Sequence, residues 1–221
     1  MKTLFRGAIN LIEEKKTNTF SFILNKKEYQ QYFEEIKGFV NVIVERKVAF
    51  QVEAINILTL HELLKNNANQ LSYKRSESLF VDISEQIKIL ESMGYGYLSI
   101  HPNDILLIES DENNFSFIFL NIENHYSVEK NILEITKPYK KHDYFSPQIK
   151  TITQIPTKIN YSQNIYYSLA TVVCNCLDKI DPNSKYVDYQ KHLDCILETK
   201  LYWALLRCLQ DKPEERFCLF I

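Results

Sequence analysis

The chain has 221 residues, 45% of them hydrophobic and 24% charged, with a formal net charge of -2; that is enough for one domain with a real core, or for two small lobes sharing one. Such a charge gives no general attraction to nucleic acid or anionic lipid, and no apolar segment approaches the roughly 18 to 20 residues that span a bilayer. With no signal-like apolar stretch at its start, the sequence reads as an intracellular, cytoplasmic protein that binds neither nucleic acid nor membrane, and the basic run Lys137–His142 reads as solvated surface.

Thr3–Ile12 and Thr19–Leu24 are β-prone and predict a hairpin around the polar turn Glu13–Asn18. Tyr29, Tyr32, Phe33 and Ile36 recur at helical spacing, which predicts a helix over Lys27–Phe39 with Gly38 at its stop. Val40–Val44 and Lys47–Glu53 form a second pair of strands. Leu58–Lys65 predicts a short amphipathic helix, Asn66–Asn69 a polar loop, and Ser76–Met93 a long helix with Leu79, Phe80, Ile83, Ile87, Leu90 and Met93 on one face. Two strands follow, Ile105–Ile108 and Phe115–Leu120, split by the turn-rich Glu109–Asn114. Asn121–Lys158, with few apolar runs and three prolines, reads mostly as loop; helices are expected over Ile165–Leu177 and His192–Leu209.

Glycine is scarce: Gly7, Gly38, Gly94 and Gly96 are the four in the chain, so there is no G-x-G-x-x-G and no Walker A loop to bring the backbone close to phosphate oxygens. The five cysteines, Cys174, Cys176, Cys195, Cys208 and Cys218, lack C-x-x-C spacing, and read as buried free thiols with no metal site. Ser99 and His101 lie two apart in a loop with no third orienting group, which does not make a nucleophile and its base. His61, His125, His142 and His192 are scattered and read as surface or capping residues, and Tyr161, Tyr166, Tyr167, Tyr202 and Trp203 as helix packing.

Tyr97-Leu98-Ser99-Ile100-His101-Pro102-Asn103-Asp104-Ile105-Leu106-Leu107 resembles the catalytic loop of the eukaryotic-type protein kinase superfamily, H-R-D-x-K-P-x-N-I-L. Other landmarks follow in order. Phe33-Glu34-Glu35-Ile36 looks like the end of the αC helix, with Glu35 in the place of its ion-pairing Glu. Phe50-Gln51-Val52-Glu53-Ala54 looks like the strand entering the hinge, and Tyr144-Phe145-Ser146-Pro147-Gln148 is similar to the x-x-A-P-E that closes the activation segment. Asn164–Ala170 resembles D-x-W-S-L-G with one extra residue, and Cys208-Leu209-Gln210-Asp211-Lys212-Pro213-Glu214-Glu215-Arg216 resembles C-L-x-x-D-P-x-x-R.

The resemblance covers nearly the whole chain and implies an α+β, two-lobed protein-kinase-like fold: a reduced antiparallel β lobe with one helix, residues 1–54, and a larger mainly helical lobe, residues 55–221, together one domain. It departs from the family at charged positions. Ser99 stands for the Asp base, His101 for the Lys, Asp104 for the metal-holding Asn, and Asn121 for the magnesium Asp of D-F-G. The strand Phe20–Leu24 offers no Lys for Glu35; Lys26 and Lys27 lie just past its end. Gln148 replaces the Glu that would pair with Arg216, which leaves at most a neutral-acceptor hydrogen bond, and Asn164 replaces the αF Asp that anchors the catalytic loop.

The resemblance therefore implies a pseudokinase, a regulatory or interaction module that contacts another protein. No catalytic residue, metal or cofactor is expected, and Asp104 and Asn121 are read first as loop stabilisers. The alternative is an atypical active Ser/Thr kinase using ATP and magnesium. In it Lys26 or Lys27, Asp104 and Glu123 take substituted roles, and Glu35, Glu53, Asp104 and Asn121 are the nucleotide-binding candidates.

Overall fold

The computed structural model describes residues 1–14, 18–66, 70–111, 114–178 and 187–220. The tip of the predicted 13–18 turn, most of the 66–69 loop and part of the 109–114 turn lie outside the described residues. Two compact units are present, one of Met1–Leu63 with Asn103–Asn124 and one of Leu64–Pro102 with His125–Ile221.

In the first unit, β1 (Lys2–Phe5), β2 (Ile9–Glu13), β3 (Thr19–Leu24), β4 (Val42–Arg46) and β5 (Ala49–Glu53) form an antiparallel sheet in the order β1-β2-β3-β5-β4. Its inner face is set by alternation: Phe20, Phe22 and Leu24 of β3 are buried, and Phe22 stacks on its cross-strand partner Phe50 with centroids 4.7 Å apart. Burying each such ring is worth about 2 kcal/mol. The helix α1 (Gln30–Glu35), flanked by 3₁₀ turns Lys27–Tyr29 and Ile36–Phe39, buries Tyr29, Tyr32, Phe33 and Ile36. Phe33 meets Phe50 at 5.1 Å, and the Tyr32 hydroxyl donates to the Phe119 carbonyl at 2.6 Å.

The predicted run Thr3–Ile12 is two strands rather than one, because the chain reverses at Arg6–Ala8. A Cβ at Gly7 would meet the Phe5 ring at 3.0 Å and the Glu123 carboxylate at 3.2 Å, so a larger residue fits only if those side chains shift. β6 (Asn56–Thr59) leads directly into α2 (Leu60–Asn66), so the predicted Leu58–Lys65 helix begins two residues late. Thr59 and Glu62 cap that start reciprocally: the Thr59 N–H donates to Glu62 Oε2 at 2.8 Å and the Glu62 N–H to Thr59 Oγ1 at 3.2 Å. The Thr59 N–H first, then the Thr59 hydroxyl, which also donates to Glu62 Oε2 at 2.8 Å, hold the Glu62 carboxyl below its usual range.

Chain order then gives α3 (Tyr73–Ser92) and β7 (Tyr95–Gly96), which belong to the second unit, and β8 (Ile105–Glu109) and β9 (Phe115–Phe119), which return to the first as the three-stranded sheet β6-β8-β9. The second unit continues with β10 (Tyr126–Glu129), β11 (Ile132–Ile135), α4 (Pro147–Thr151), β12 (Thr157–Asn160), α5 (Tyr161–Leu177), α6 (Tyr189–His192) and α7 (Lys200–Cys208). Strands β12-β11-β10-β7 form its sheet. Gly96, in β7, lies so close to its neighbours that a Cβ would overlap the Val128 Cγ2 atom at 2.1 Å.

Most of Asn121–Lys158 is loop, as expected, but it also holds β10, β11 and α4. Its period-2 burial, Tyr126 and Val128 in, Ser127 and Glu129 out, then Leu133 and Ile135 in, Ile132 and Glu134 out, makes a hairpin. The turn places Lys130 and Asn131 at φ of 50° and 63° without a glycine, so the usual turn signal is missing. The long helix appears as predicted, with Leu79, Phe80, Ile83, Ile87 and Leu90 buried, and the Ser72 hydroxyl accepts from the Arg75 N–H. Helix α5 begins four residues earlier than predicted, at its Asn160 cap, and the predicted His192–Leu209 helix is broken by Glu198 at φ 63° before Thr199 caps α7. Among the described residues no helix is long and apolar enough to cross a membrane.

Candidate functional site

In the first unit the hairpin after the loop brings Asp104 and Asn121 together. The Leu120 N–H donates to the Asp104 carbonyl at 2.9 Å, and the Asn121 amide donates to Asp104 Oδ1 at 2.8 Å. Two positions that would each hold a cation in the resembled pattern are cross-linked here by a neutral donor. Two residues on, Glu123 forms an ion pair with Lys26, from the segment just past β3, and this contact raises the lysine pKa. Glu123 also borders the β1–β2 reversal at Gly7.

Glu35 is the last residue of α1 and is exposed, and the lysine nearest the strand end is paired to Glu123. Glu53 ends β5 with its side chain exposed, and its carbonyl accepts from the Ser110 hydroxyl at 3.3 Å.

In the second unit the loop residue Ser99 bonds to a histidine from the segment before α4: Ser99 Oγ and His142 Nε2 are 2.9 Å apart. His142 is half-buried rather than on the surface, and stacks on Phe145 at 4.2 Å. His101 meets His142 edge-on at 5.2 Å and Tyr144 at 5.4 Å. Burial first, then the neighbouring His101, lowers the His142 pKa to about 4, so its ring is neutral at pH 7. Its Nδ1 is buried and finds no hydrogen-bond partner among the described residues. A serine–histidine contact without an orienting group on Nδ1 lacks the third member that hydrolytic triads use.

The structural positions are held by hydrogen bonds to neutral acceptors. Arg216, buried, donates through Nη1 to Gln148 Oε1 at 2.6 Å, through Nε to the Gln210 carbonyl at 2.6 Å and through Nη2 to the Asp211 carbonyl at 2.8 Å, with its guanidinium 4.4 Å from the Tyr167 ring. Asn164 accepts from the Ser146 hydroxyl and donates to the Asn160 carbonyl at 2.6 Å. The loop is anchored by a residue that the sequence comparison did not single out, Ser168. Its hydroxyl accepts from the Ile100 N–H at 2.8 Å and donates to the Ile100 carbonyl at 3.5 Å. One helical turn separates Ser168 from Asn164, and the serine of the Ser168-Leu169-Ala170 stretch was the available signal. Among the described residues, no group of three or more His, Cys, Asp or Glu could hold a metal ion.

An antiparallel sheet with one helix, a catalytic-loop-like turn feeding a hairpin, and a set of helices closed by a buried Arg–Gln contact define a protein-kinase-like α+β fold, the class expected from the sequence. Among solved structures, the chain is similar to the PknI kinase domain of Mycobacterium tuberculosis, with 10% sequence identity, a TM-score of 0.53, and coverage of 98% of this chain and 89% of that one. At that identity the likeness concerns the fold. No protein-family model and no curated protein matches the chain.

Proposed function

We propose that this kinase-like chain is a pseudokinase, a catalytically impaired domain that acts as a regulatory or interaction module for another protein. The observation that carries this reading is the pairing of Lys26 with Glu123. Phosphoryl transfer relies on fixed cations and metal-holding carboxylates around the triphosphate. Here the strand-end cation is neutralised by an acid, and Asp104 is bonded to an amide where the resembled pattern has a second metal-binding group. Ser99 in place of the Asp base, hydrogen-bonded to a neutral His142, supports the same reading. Exposed Leu197, Trp203, Phe217 and Leu219 give the second unit apolar surface for a protein partner.

The alternative, an atypical active Ser/Thr kinase, is favoured by one observation: Lys26, Glu123, Asp104 and Asn121 all belong to the first unit, and Glu123 follows β9 closely, as the magnesium Asp follows its strand. Thermal-shift titration with ATP, with and without magnesium or manganese, separates the two. The pseudokinase reading expects no metal-dependent rise in melting temperature; saturating metal–nucleotide at about 100 times its dissociation constant would add about 2.7 kcal/mol. A clear metal-dependent rise, with phosphate incorporation lost on Asp104→Ala, establishes the alternative. Affinity capture from the native host identifies the partner.

A further inference from the structure

The five cysteines do not share one environment. Cys174, Cys176 and Cys208 are buried as expected, whereas Cys195 is exposed and Cys218 half-exposed. Burial pushes the Cys174 thiol up to about 12 and Cys176 higher still, so neither supplies a thiolate at neutral pH. Cys195 is shifted upward as well. Cys218 is the exception.

The segment that carries Cys218 runs back along α7 and is held on both sides of the cysteine. On one side the Arg207 guanidinium covers the Phe217 ring at 5.6 Å; on the other, Phe220 packs on Phe80 of α3 at 5.8 Å. Between these contacts Cys208, the last residue of α7, donates from its thiol to the Phe217 carbonyl at 3.7 Å, which sets its sulfur beside the residue that follows, Cys218. The two cysteines are thereby held side by side across ten residues of chain by aromatic and cationic packing that does not depend on either sulfur.

We propose that Cys208 and Cys218 form a peroxide-responsive thiol pair, whose oxidation to a disulfide fastens the C-terminal segment to α7. The roles of the two sulfurs differ. The neighbouring Cys208 thiol and the Lys88 ammonium favour the Cys218 thiolate against the cost of its burial, while Cys208 is kept protonated. The Cys218 thiolate attacks one oxygen of hydrogen peroxide, the O–O bond breaks, hydroxide leaves, and Cys218 becomes a sulfenic acid. The Cys208 sulfur, giving up its proton, attacks the sulfenic sulfur; the S–O bond breaks and the departing oxygen leaves as water. In sum, two thiols and one hydrogen peroxide give one disulfide and two waters. The ring so closed contains Arg216, whose guanidinium holds Gln148, so oxidation restrains the turn that carries this contact.

The test uses the whole chain treated with hydrogen peroxide. Intact-mass analysis should show the loss of two hydrogens, and peptide mapping without reductant a single cross-linked peptide joining Cys208 to Cys218, both reversed by a dithiol reductant. Cys195→Ser should leave this closure unchanged. Cys208→Ala should trap Cys218 as a sulfenic acid that dimedone captures. A ring of this size should raise the melting temperature of the oxidised wild type by about 5 °C, a shift that Cys218→Ala abolishes. Failure to find the cross-linked peptide, faster oxidation at Cys195 than at Cys218, or a cross-link that leaves the melting temperature unchanged overturns the proposal.

Discussion

Arg216 carries a full charge into the second unit with no carboxylate on its fork: its donors meet one side-chain amide and two backbone carbonyls, and its plane lies over Tyr167. Burial lowers its pKa, yet a guanidinium remains protonated and must find acceptors for several N–H groups at once. Lysine has the charge without the fork. Arg216→Lys is therefore expected to cost about 2–4 kcal/mol, read by chemical denaturation, since it leaves a buried ammonium and orphaned carbonyls. The sequence carried this contact through its resemblance to the kinase pattern, which pairs the position of Gln148 with that of Arg216, and the bond is there at 2.6 Å. It did not carry Ser168, because a serine in a buried helix gives no sign of which backbone group it will meet. His142 was hidden for the same reason, its partner Ser99 lying 43 residues away.

At the scale of elements, the segment from Tyr139 to Ile152 is fixed by its own hydrogen bonds. Lys141 Nζ donates to the Lys150 and Ile152 carbonyls, Lys150 Nζ donates to the Asp143 carbonyl at 2.8 Å, and the Tyr139 hydroxyl donates to the Ile149 carbonyl at 2.9 Å. His142 ties the same segment to the loop at Ser99 and stays neutral to about pH 4, against 6.5 when unfolded. The groups that set this value beyond burial are His101 and Lys150, which oppose its charge, and Asp143, which favours it. Between these two pKa values the unfolded chain takes up a proton that the folded chain refuses. Its contribution is therefore fully present above pH 6.5 and is lost as pH falls toward 4. The melting temperature of the wild type should fall more steeply from pH 7 to 4.5 than that of His142→Gln, by several degrees. The elements themselves were legible where the period was long and regular, as in α3 with its apolar stripe, although its Ser72 cap and first three residues lie before the expected start. They were not legible in β10 and β11, where the strands are four residues each and Lys130-Asn131 makes the turn. Nor was the break before α7 visible, since Glu198 takes a left-handed backbone that its residue type does not advertise.

For the whole molecule, the fold class survived at 10% identity to a solved kinase domain because it rests on apolar spacing and on the order of a few landmarks, whereas the charged positions changed. Apolar periodicity tolerates exchange among Leu, Ile, Val and Phe. Phosphate chemistry tolerates little exchange, so a shared architecture does not by itself carry a nucleotide site. Helix α5 shows how strongly the architecture is fixed: every residue of it is buried except Ser162, Gln163 and Asn175, with α3 and α7 packed against it. A truncated version that stops before α7 would turn this rod outward, naked to water over part of its length. Such a fragment, for instance residues 1–178, is expected to precipitate or to require detergent during purification, which sedimentation of the lysate would reveal. Two-hybrid baits and split reporters made from this protein must therefore retain the last helix to remain dissolved.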